Sequence, residues 1–254
     1  MSKINTLFVG KVLYHYRELD STNSRALELL SKSKPSEGTA ISAAFQRAGR
    51  GQIGSRWESA PGENLCLSVI LYPSFILARR QFALNQAVAL AVAETVALYA
   101  PVSDVAIKWP NDIYVKDKKV GGILLQNSLS GVNILHSVAG IGLNVNQVDF
   151  PAGLPNPTSL ALETGGSYEL EALRDRLFEN LEKWYLRLRS GDEAALSDPY
   201  LRRLYRYRME SCFELPDGSR FAGTITGLTD TGKLVVDREG EELSFGFKEV
   251  AFCR

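Results

Sequence analysis

The first two hundred residues combine two kinds of apolar pattern. Runs that alternate with a period of two, and short continuously apolar runs, predict β-strands. These runs are VLYHYREL (12–19), GTAISAAFQ (38–46), NLCLSVILYP (64–73), VAIKWP (105–110), DIYVKD (112–117), KVGGILLQ (119–126) and VNILHSVAGIGLNVN (132–146). A period of 3.6 predicts helices after Asp20, over 79–99 and over 168–189. Strands interspersed with helices indicate an α+β fold with a mixed central sheet and flanking helices.

The pattern changes after about residue 200. The stretch 212–250 is a series of short alternating runs cut by DG, TG and EG dipeptides, which favour turns. Such a series predicts a small β-barrel of roughly fifty residues with a modest core of its own. We therefore divide the chain into a large domain, residues 1–200, and a small C-terminal domain, residues 201–254.

Composition narrows the class of protein. The chain has 254 residues, and its 29 Lys+Arg balance 29 Asp+Glu, so the formal net charge is zero. Proteins held to nucleic acid by phosphate contacts usually carry a basic excess, which argues against that class. The chain shows no apolar run typical of a signal peptide or a membrane span. We expect a soluble cytoplasmic protein that contacts neither DNA nor a membrane.

The cysteines and histidines are too few and too scattered for a metal or disulfide framework. Cys66, Cys212 and Cys253 are odd in number, far apart and without a CxxC pair, so we expect reduced thiols. With only His15 and His136, a histidine-rich zinc site is not expected, and no metal ligands are assigned. His136, inside a predicted strand, is interpreted as a core or surface residue rather than a base.

A glycine-rich loop, GRGQIG at 49–54, matches GxGxxG, a weak signal by itself. A dinucleotide-binding reading needs a helix directly afterwards, and SRWESAPGEN is not helical. A protein-kinase loop would need HRD and DFG partners, and a P-loop would need GK[ST]; the sequence contains neither set. Taken alone, the loop is more typical of a flexible surface segment.

The side chains around this loop favour a ligand instead. It carries Arg47, Arg50 and Arg56, together with Gln46 and Trp57. Glycines let the backbone approach an anion closely, and a guanidinium can bind a carboxylate or phosphate with two hydrogen bonds. The loop therefore suits an anionic ligand that has to be enclosed.

Four motifs together give a sharper interpretation. They are DSTN (20–23), QRAGRGQIGSRW (46–57), KWPNDIY with KVGGILLQ (108–126) and AGIGLNVN (139–146). In this order and spacing the chain resembles a bacterial biotin protein ligase from about Val12 to the C-terminus. The resemblance implies a class II synthetase-like catalytic domain followed by a small SH3-like barrel. Many bacterial members also carry an N-terminal DNA-binding domain, for which the 19 residues before DSTN are expected to leave no room.

The resemblance also implies a reaction. Biotin's carboxylate attacks the α-phosphate of ATP, with Mg²⁺ on the nucleotide, and gives biotinyl-5′-AMP and pyrophosphate. A lysine of a biotin carboxyl carrier protein then attacks the activated acyl carbon, and AMP leaves. A mobile glycine loop would act as a lid that keeps the mixed anhydride from water. A homodimer is left open as one assembly.

Residue roles follow from matching positions. Lys119 and Arg50 are the expected catalytic cations, because charge builds up where carboxylate and phosphate meet. The implied biotin-binding residues are Ser21, Thr22, Asn23, Gln46, Arg50, Gly51, Gln52, Lys119, Gly122 and Gly140. The implied ATP-binding residues are Gly49, Arg50, Trp57, Asn111, Asp112, Lys119 and Asn144. Within the second set, Asn144 matches the position that meets adenine.

The lysine-rich stretch 108–126 receives an interpretation in the same way. Trp109-Pro110 fixes the bend between two strands, and the Gly121-Gly122 pair removes side chains where the ligand passes close to the sheet. Neighbouring strand residues point to opposite faces, so Lys118 should face solvent if Lys119 faces the ligand. Lys116 is likewise interpreted as a solvated turn charge.

Other interpretations remain alongside these. Ser21 and Thr22 could serve only as helix caps, and Trp57 only as a packing residue. Gln52 and Ser55 replace two arginines common in the family's loop, which leaves fewer cations to hold the acyl-adenylate. A lipoate ligase or octanoyl transferase of the same fold, or a non-catalytic biotin sensor, are the alternative functions.

Overall fold

A seven-stranded mixed sheet forms the centre of the protein. The computed structural model describes residues 4–52, 54–192 and 194–253. The strands are β1 (Leu13–Leu19), β2 (Ala40–Gln46), β3 (Asn64–Leu71), β4 (Val105–Lys108), β5 (Asp112–Val115), β6 (Lys118–Ser130) and β7 (Asn133–Asn144). Their spatial order is β1-β2-β3-β7-β6-β5-β4. Strands β1 and β2 are parallel, and the other described neighbours are antiparallel.

Helices cover both faces of this sheet. They are α1 (Thr22–Lys32), α2 (Phe82–Val96), α3 (Leu160–Thr164), α4 (Leu170–Arg189) and α5 (Ala194–Arg202). Helix α2 is apolar on nearly every side and contributes ten buried residues, so it forms the middle of the core beside α4. Alternate strand residues face the other way, where Ile41, Ile70 and Val138 pack against Ala26 of α1.

A second sheet follows near the C-terminus. Its strands are β8 (Glu210–Glu214), β9 (Arg220–Leu228), β10 (Leu234–Arg238), β11 (Glu241–Phe245) and β12 (Ala251–Phe252). They pair antiparallel in the order β11-β10-β9-β8-β12, so within the described residues the sheet is not closed by pairing of β11 with β12. Buried Phe213, Ile225 and Val236 belong to the same apolar cluster as the central sheet.

The predicted α+β class and all seven predicted strands of the large sheet are confirmed, while two helices were missed. The long alanine-rich pattern was expected to be helical over 79–99, and α2 is shorter because a 3₁₀ turn (Ala78–Arg80) precedes it. Helix α3 has five residues, too few to show a period, in a proline-rich stretch. Helix α5 contains Pro199, a residue that normally argues against a helix interior.

The expectation of three reduced cysteines is wrong for two of them. Cys212 and Cys253 form a disulfide, with Cα atoms 5.4 Å apart. The pairing of β12 with β8 brings them together, and the Cys253 N–H donates to the Cys212 carbonyl. A separation of 41 residues gave no sign of this contact. Cys66 is a buried free thiol whose pKa is raised by burial.

Within the described residues, no helix is long and apolar enough to cross a membrane.

Candidate active site

One cavity of about 990 Å³ collects most of the predicted site residues. Its wall includes the start of α1, the glycine loop, β6 and β7, and parts of the C-terminal sheet. The predicted residues in the wall are Ser21, Thr22, Asn23, Gln46, Arg50, Gly51, Gln52, Trp57, Asn111, Asp112, Lys119, Gly122 and Gly140. Gly49, Asn144 and His136 do not line the cavity; Asn144 and His136 lie on β7.

A buried polar cluster forms one end of the cavity. The Oε1 of Gln46 accepts from the backbone N–H of Thr22 at 2.8 Å and from its hydroxyl at 3.1 Å. The hydroxyl of Ser68 lies 2.8 Å from Thr22 Oγ1 and donates to Asn23 Oδ1 at 2.6 Å. Asn23 Nδ2 in turn donates to Gln126 Oε1 at 2.9 Å. We call these five residues the Thr22 cluster.

Two members of the Thr22 cluster escaped the sequence predictions. Ser68 is fully buried in the middle of strand β3, between apolar neighbours, and Gln126 lies in β6. A buried hydroxyl in an apolar strand needs a hydrogen-bond partner, which was a usable signal for Ser68. Ser21, interpreted as a helix cap, holds the N-cap position of α1 and also lines the cavity, so both interpretations hold.

Glycines in β7 make room for side chains that cross the sheet. A Cβ on Gly140 would lie 2.1 Å from Asn23 Oδ1, and a Cβ on Gly142 would lie 2.3 Å from the indole of Trp57. The same indole passes over Gly122 at 3.4 Å from an ideal Cβ position. Gly142, which the sequence predictions omitted, is therefore as closely tied to the site as the predicted Gly140.

The glycine loop folds back on itself beside the cavity. The Trp57 N–H donates to the Gly49 carbonyl, and the Gly51 N–H donates to the Ser55 carbonyl. Exposed side chains of Arg50 and Arg56 line the cavity. Arg47 does not join them, because it pairs with Glu18 and Asp20 on the outer side. Residue 53 of the loop lies outside the described residues.

The turn between β4 and β5 is held from several sides. Trp109 Nε1 donates to the carbonyl of Gly232, in the turn between β9 and β10, at 2.9 Å, and Asn85 donates to the Pro110 carbonyl at 2.6 Å. Asn111 Nδ2 donates to the Ile123 carbonyl at 2.7 Å. These bonds fix the position of the next residue, Asp112, on the cavity wall.

Lys119 and Asp112 form an ion pair within the cavity. Lys119 Nζ lies 2.7 Å from Asp112 Oδ1, and both side chains are partly exposed. Lys118 and Lys116 extend elsewhere, to the almost buried carboxylate of Glu163 at 3.2 and 3.5 Å. The two lysines interpreted as solvated turn charges are thus exposed, as expected, but ion-paired.

Two buried polar atoms next to the cavity lack a hydrogen-bond partner among the described residues. They are Oδ1 of Asn144, whose Nδ2 donates to the Thr158 carbonyl, and Nε1 of Trp57. Buried polar atoms are nearly always hydrogen-bonded, so a ligand that supplies a donor to one and an acceptor to the other would fit here. Asn127 Oδ1 and Ser137 Oγ also have no partner in the part of the chain that the structure describes, but they lie farther along β6 and β7, outside the cavity wall.

The C-terminal segment adds a cationic and aromatic side to the cavity. The Tyr205 hydroxyl donates to Asp117, and Arg206 Nε donates to the Tyr205 hydroxyl. Phe252 packs edge-on against Tyr205, with Lys108 Nζ 5.5 Å from its ring centre. Burial and the bond to Asp117 raise the pKa of Tyr205. Sequence reasoning missed the contacts of Tyr205 with Asp117 and of Lys108 with Phe252 because each joins distant parts of the chain.

The fold and the site together define the class of protein: an α+β protein with two sheets and a cavity lined by cationic side chains. Residues 15–144 match the model of the Biotin/lipoate A/B protein ligase family, and the chain belongs to that family. The resemblance inferred from the motifs is confirmed.

Individual relatives support the same family. The biotin–(acetyl-CoA-carboxylase) ligase of Paracoccus denitrificans is 32% identical over 85% of this chain and 90% of its own length. The bifunctional ligase/repressor BirA of Bacillus subtilis is 34% identical over 72% of this chain, which spans 56% of that relative. The solved biotin protein ligase of Aquifex aeolicus in complex with biotin and ATP has a TM-score of 0.79 and 25% identity. That match covers 96% of this chain and 99% of that one.

Proposed function

We propose that this chain is an ATP-dependent biotin protein ligase. It would activate biotin as biotinyl-5′-AMP and transfer it to a specific lysine of a biotin carboxyl carrier protein. The observation that carries this proposal is that Lys119 and Arg50 line one cavity of about 990 Å³ together with Thr22, Asn23 and Gln46 of the Thr22 cluster. The Aquifex aeolicus relative, described with biotin and ATP bound, supports the same pair of substrates.

The first step joins two anions. A carboxylate oxygen of biotin forms a bond to the α-phosphorus of ATP, and the bond to pyrophosphate breaks. Negative charge accumulates at the point of contact, so fixed cations there lower the barrier. Lys119 on β6 and Arg50 on the loop would supply them. Asp112, 2.7 Å from Lys119 Nζ, keeps the ammonium in the cavity before substrates arrive.

The adenine end of ATP would lie beside Asn144 and Trp57. The free lone pairs of Asn144 Oδ1 suit an exocyclic amino group, and Trp57 Nε1 suits an acceptor such as a ring nitrogen or a phosphate oxygen. Binding of ATP would thus satisfy Asn144 Oδ1, which has no partner among the described residues, and would offer Trp57 Nε1 a stronger acceptor than the neighbouring Cys66 thiol. Gly49 would not contact ATP itself. Its carbonyl accepts a hydrogen bond from the Trp57 N–H, and this bond would hold Trp57 in place.

The Thr22 cluster would hold the ureido ring of biotin. The ring presents two N–H donors and one carbonyl acceptor, so it needs a few fixed polar groups in a largely apolar pocket. Ser21, Thr22, Asn23 and Gln46 supply hydroxyl and amide groups, and Gly122 and Gly140 leave their backbone accessible. Gly51 and Gln52 of the loop would close over the biotin side.

The second step uses the acyl-adenylate at once. The amine of the carrier lysine attacks the acyl carbon, an amide forms, a proton leaves the nitrogen, and the bond to AMP breaks. We expect Mg²⁺ to enter on the nucleotide phosphates, since Mg²⁺ in such sites is bound through phosphates and few carboxylates.

We also propose a cytoplasmic location, where ATP is supplied, and a homodimer as one form of assembly. A formal net charge of zero argues against selective DNA binding.

A transfer assay tests the proposal. The protein is mixed with ATP, Mg²⁺, biotin and an authentic biotin carrier domain, and the carrier is weighed by mass spectrometry. We expect a mass gain of one biotinyl group that depends on ATP, and none when Lys119→Met replaces the wild type over the same period. Lack of a mass gain with the wild-type chain would overturn the proposal. Gain with lipoate or octanoate in place of biotin would favour the related ligases of this family instead.

A further inference from the structure

The carboxylate of Glu163 occupies an unusual position for a residue outside the cavity. Its side chain is only 5% exposed, although the residue lies in the short surface helix α3. Oε1 accepts from the Thr158 hydroxyl at 2.7 Å and from Lys118 at 3.2 Å, and Oε2 faces Lys116 at 3.5 Å. Burial alone would raise the pKa of Glu163, but these donors outweigh it and lower the pKa. The group is therefore ionised at neutral pH.

Thr158, the neutral partner of Glu163, touches the site twice through its backbone. Its N–H donates to the Lys119 carbonyl at 2.9 Å, while the Lys119 N–H donates to the Asn156 carbonyl at 2.9 Å. The Thr158 carbonyl accepts from Asn144 Nδ2 at 2.9 Å. One fully buried residue thus bonds the main chain at Lys119 and the side chain of Asn144. The hydrogen bond from the Thr158 hydroxyl to Glu163 fixes Thr158 at a third point.

We propose that Glu163 is a positioning residue that orients Lys119 and Asn144 through Thr158. The inference rests on the proposed function, in which Lys119 stabilises the adenylation transition state and Asn144 meets adenine. Glu163 itself reaches neither substrate. The carboxylate holds Thr158 where its N–H and carbonyl fix the lysine and the asparagine in one geometry.

A role limited to folding makes different predictions. Loss of a purely structural contact lowers stability and the fraction of active protein, and it leaves the KM values of the remaining protein unchanged. Loss of a positioning contact changes kcat and the KM for ATP, because both Lys119 and Asn144 shift. The KM for biotin should change less than the KM for ATP, since only Lys119 among the proposed biotin contacts shifts, and the Thr22 cluster has no hydrogen bond to Thr158 or Glu163 among the described residues.

Three variants separate the contributions. Glu163→Gln keeps an oxygen that can accept from Thr158 but loses the charge toward Lys118. Glu163→Ala loses both, and Thr158→Val removes the hydroxyl at nearly constant volume. Misplacement of a catalytic group by a distant change costs up to about 100-fold in rate. We expect Glu163→Ala and Thr158→Val each to lower kcat for pyrophosphate release by about 10- to 100-fold and to raise the KM for ATP, and Glu163→Gln to restore most of both.

The double variant Glu163→Ala/Thr158→Val should have about the same kcat and KM for ATP as either single variant, because both changes remove the same hydrogen bond between Thr158 and Glu163. Lys116→Met is the comparison variant: it removes only the longest contact of the carboxylate, 3.5 Å, and leaves the Thr158 bond, so kcat and the KM for ATP should stay close to those of the wild type. Additive losses, equal losses in Glu163→Gln and Glu163→Ala, or unchanged kcat and ATP KM in Thr158→Val would each overturn the inference. Should Glu163→Ala not fold, Thr158→Val decides alone.

ATP affinity provides an independent measurement. Calorimetric titration of ATP without biotin should show weaker binding to Thr158→Val than to the wild type. A wild-type chain that binds ATP but releases no pyrophosphate with biotin would overturn the proposed function. The ATP affinities of the same variants would then still decide whether Glu163 acts on Asn144 through Thr158, and equal affinities would reject it.

Discussion

Lys118 and Lys119 are adjacent in β6, yet their ammonium groups bind different carboxylates, one outside the cavity and one inside it. Lys118 lies 3.2 Å from Glu163, and Lys119 lies 2.7 Å from Asp112. Successive side chains of a strand point to opposite faces, which explains the separation. The two residues have the same chemistry and nearly the same backbone position, so they form a matched pair for testing which cation the reaction uses.

We expect Lys119→Met to lower the rate of pyrophosphate release from biotin and ATP by roughly 10²–10³-fold. The change keeps most of the stem but removes a preorganised charge, worth about 3–4 kcal/mol of barrier. Lys118→Met should lose much less, because the Lys118 ammonium pairs with Glu163 outside the cavity and Glu163 keeps its bond to the Thr158 hydroxyl. Single-turnover measurements of both variants check this. Equal losses, or a larger loss at Lys118, would contradict the assignment of Lys119.

The contact between Trp57 and Gly142 gives a second prediction. A methyl group on Gly142 would lie 2.3 Å from the indole, so Gly142→Ala has to displace the ring. We expect weaker ATP binding, because Trp57 borders the proposed adenine site. Gly227→Ala is the control, since an added Cβ there meets no atom within 4 Å and the backbone needs no positive φ. Calorimetry with ATP should separate the two variants; equal affinities would show that Trp57 does not contribute.

The alternating patterns predicted the central sheet and even the opposite directions of Lys118 and Lys119, because strand periodicity is local. The residues that sequence reasoning missed depend on distant contacts. Ser68 joins the site only because β3 lies under α1, and Tyr205 joins it because the segment after α5 pairs with β4. The disulfide likewise needs β12 beside β8. Spacing along the chain carries no information on such tertiary neighbours.

Ser68 gives a third prediction, on biotin binding. Its hydroxyl links Thr22 to Asn23, so Ser68→Ala leaves two buried polar groups short of a partner. An unsatisfied buried group typically costs about 1–3 kcal/mol. We expect a lower free energy of unfolding and a higher KM for biotin, with the KM for ATP nearly unchanged. Ser130→Ala, exposed at the end of the β6 strand, is the control. A change confined to the KM for ATP would be inconsistent with the Thr22 cluster as the biotin end.

The fourth prediction concerns the disulfide. Cys212–Cys253 closes a separation of 41 residues and ties β12 to β8. A crosslink of this span typically stabilises a protein by about 2–4 kcal/mol, chiefly by restricting the unfolded chain. Reduction with dithiothreitol should therefore lower the urea midpoint of the wild type. Phe252 precedes Cys253 and lines the cavity, so we also expect reduction to raise the KM for ATP.

Two variants assign that effect to the crosslink. Cys253→Ser should behave like the reduced wild type and should not respond to dithiothreitol, since its disulfide cannot form. Cys66→Ala should respond as the wild type does, because Cys66 is a free thiol in the other sheet. The measurements are urea unfolding by circular dichroism and ATP-dependent pyrophosphate release, each with and without the reductant. A urea midpoint that falls with dithiothreitol in Cys253→Ser, or stays constant in the wild type, would mean that the crosslink does not hold β12 in place.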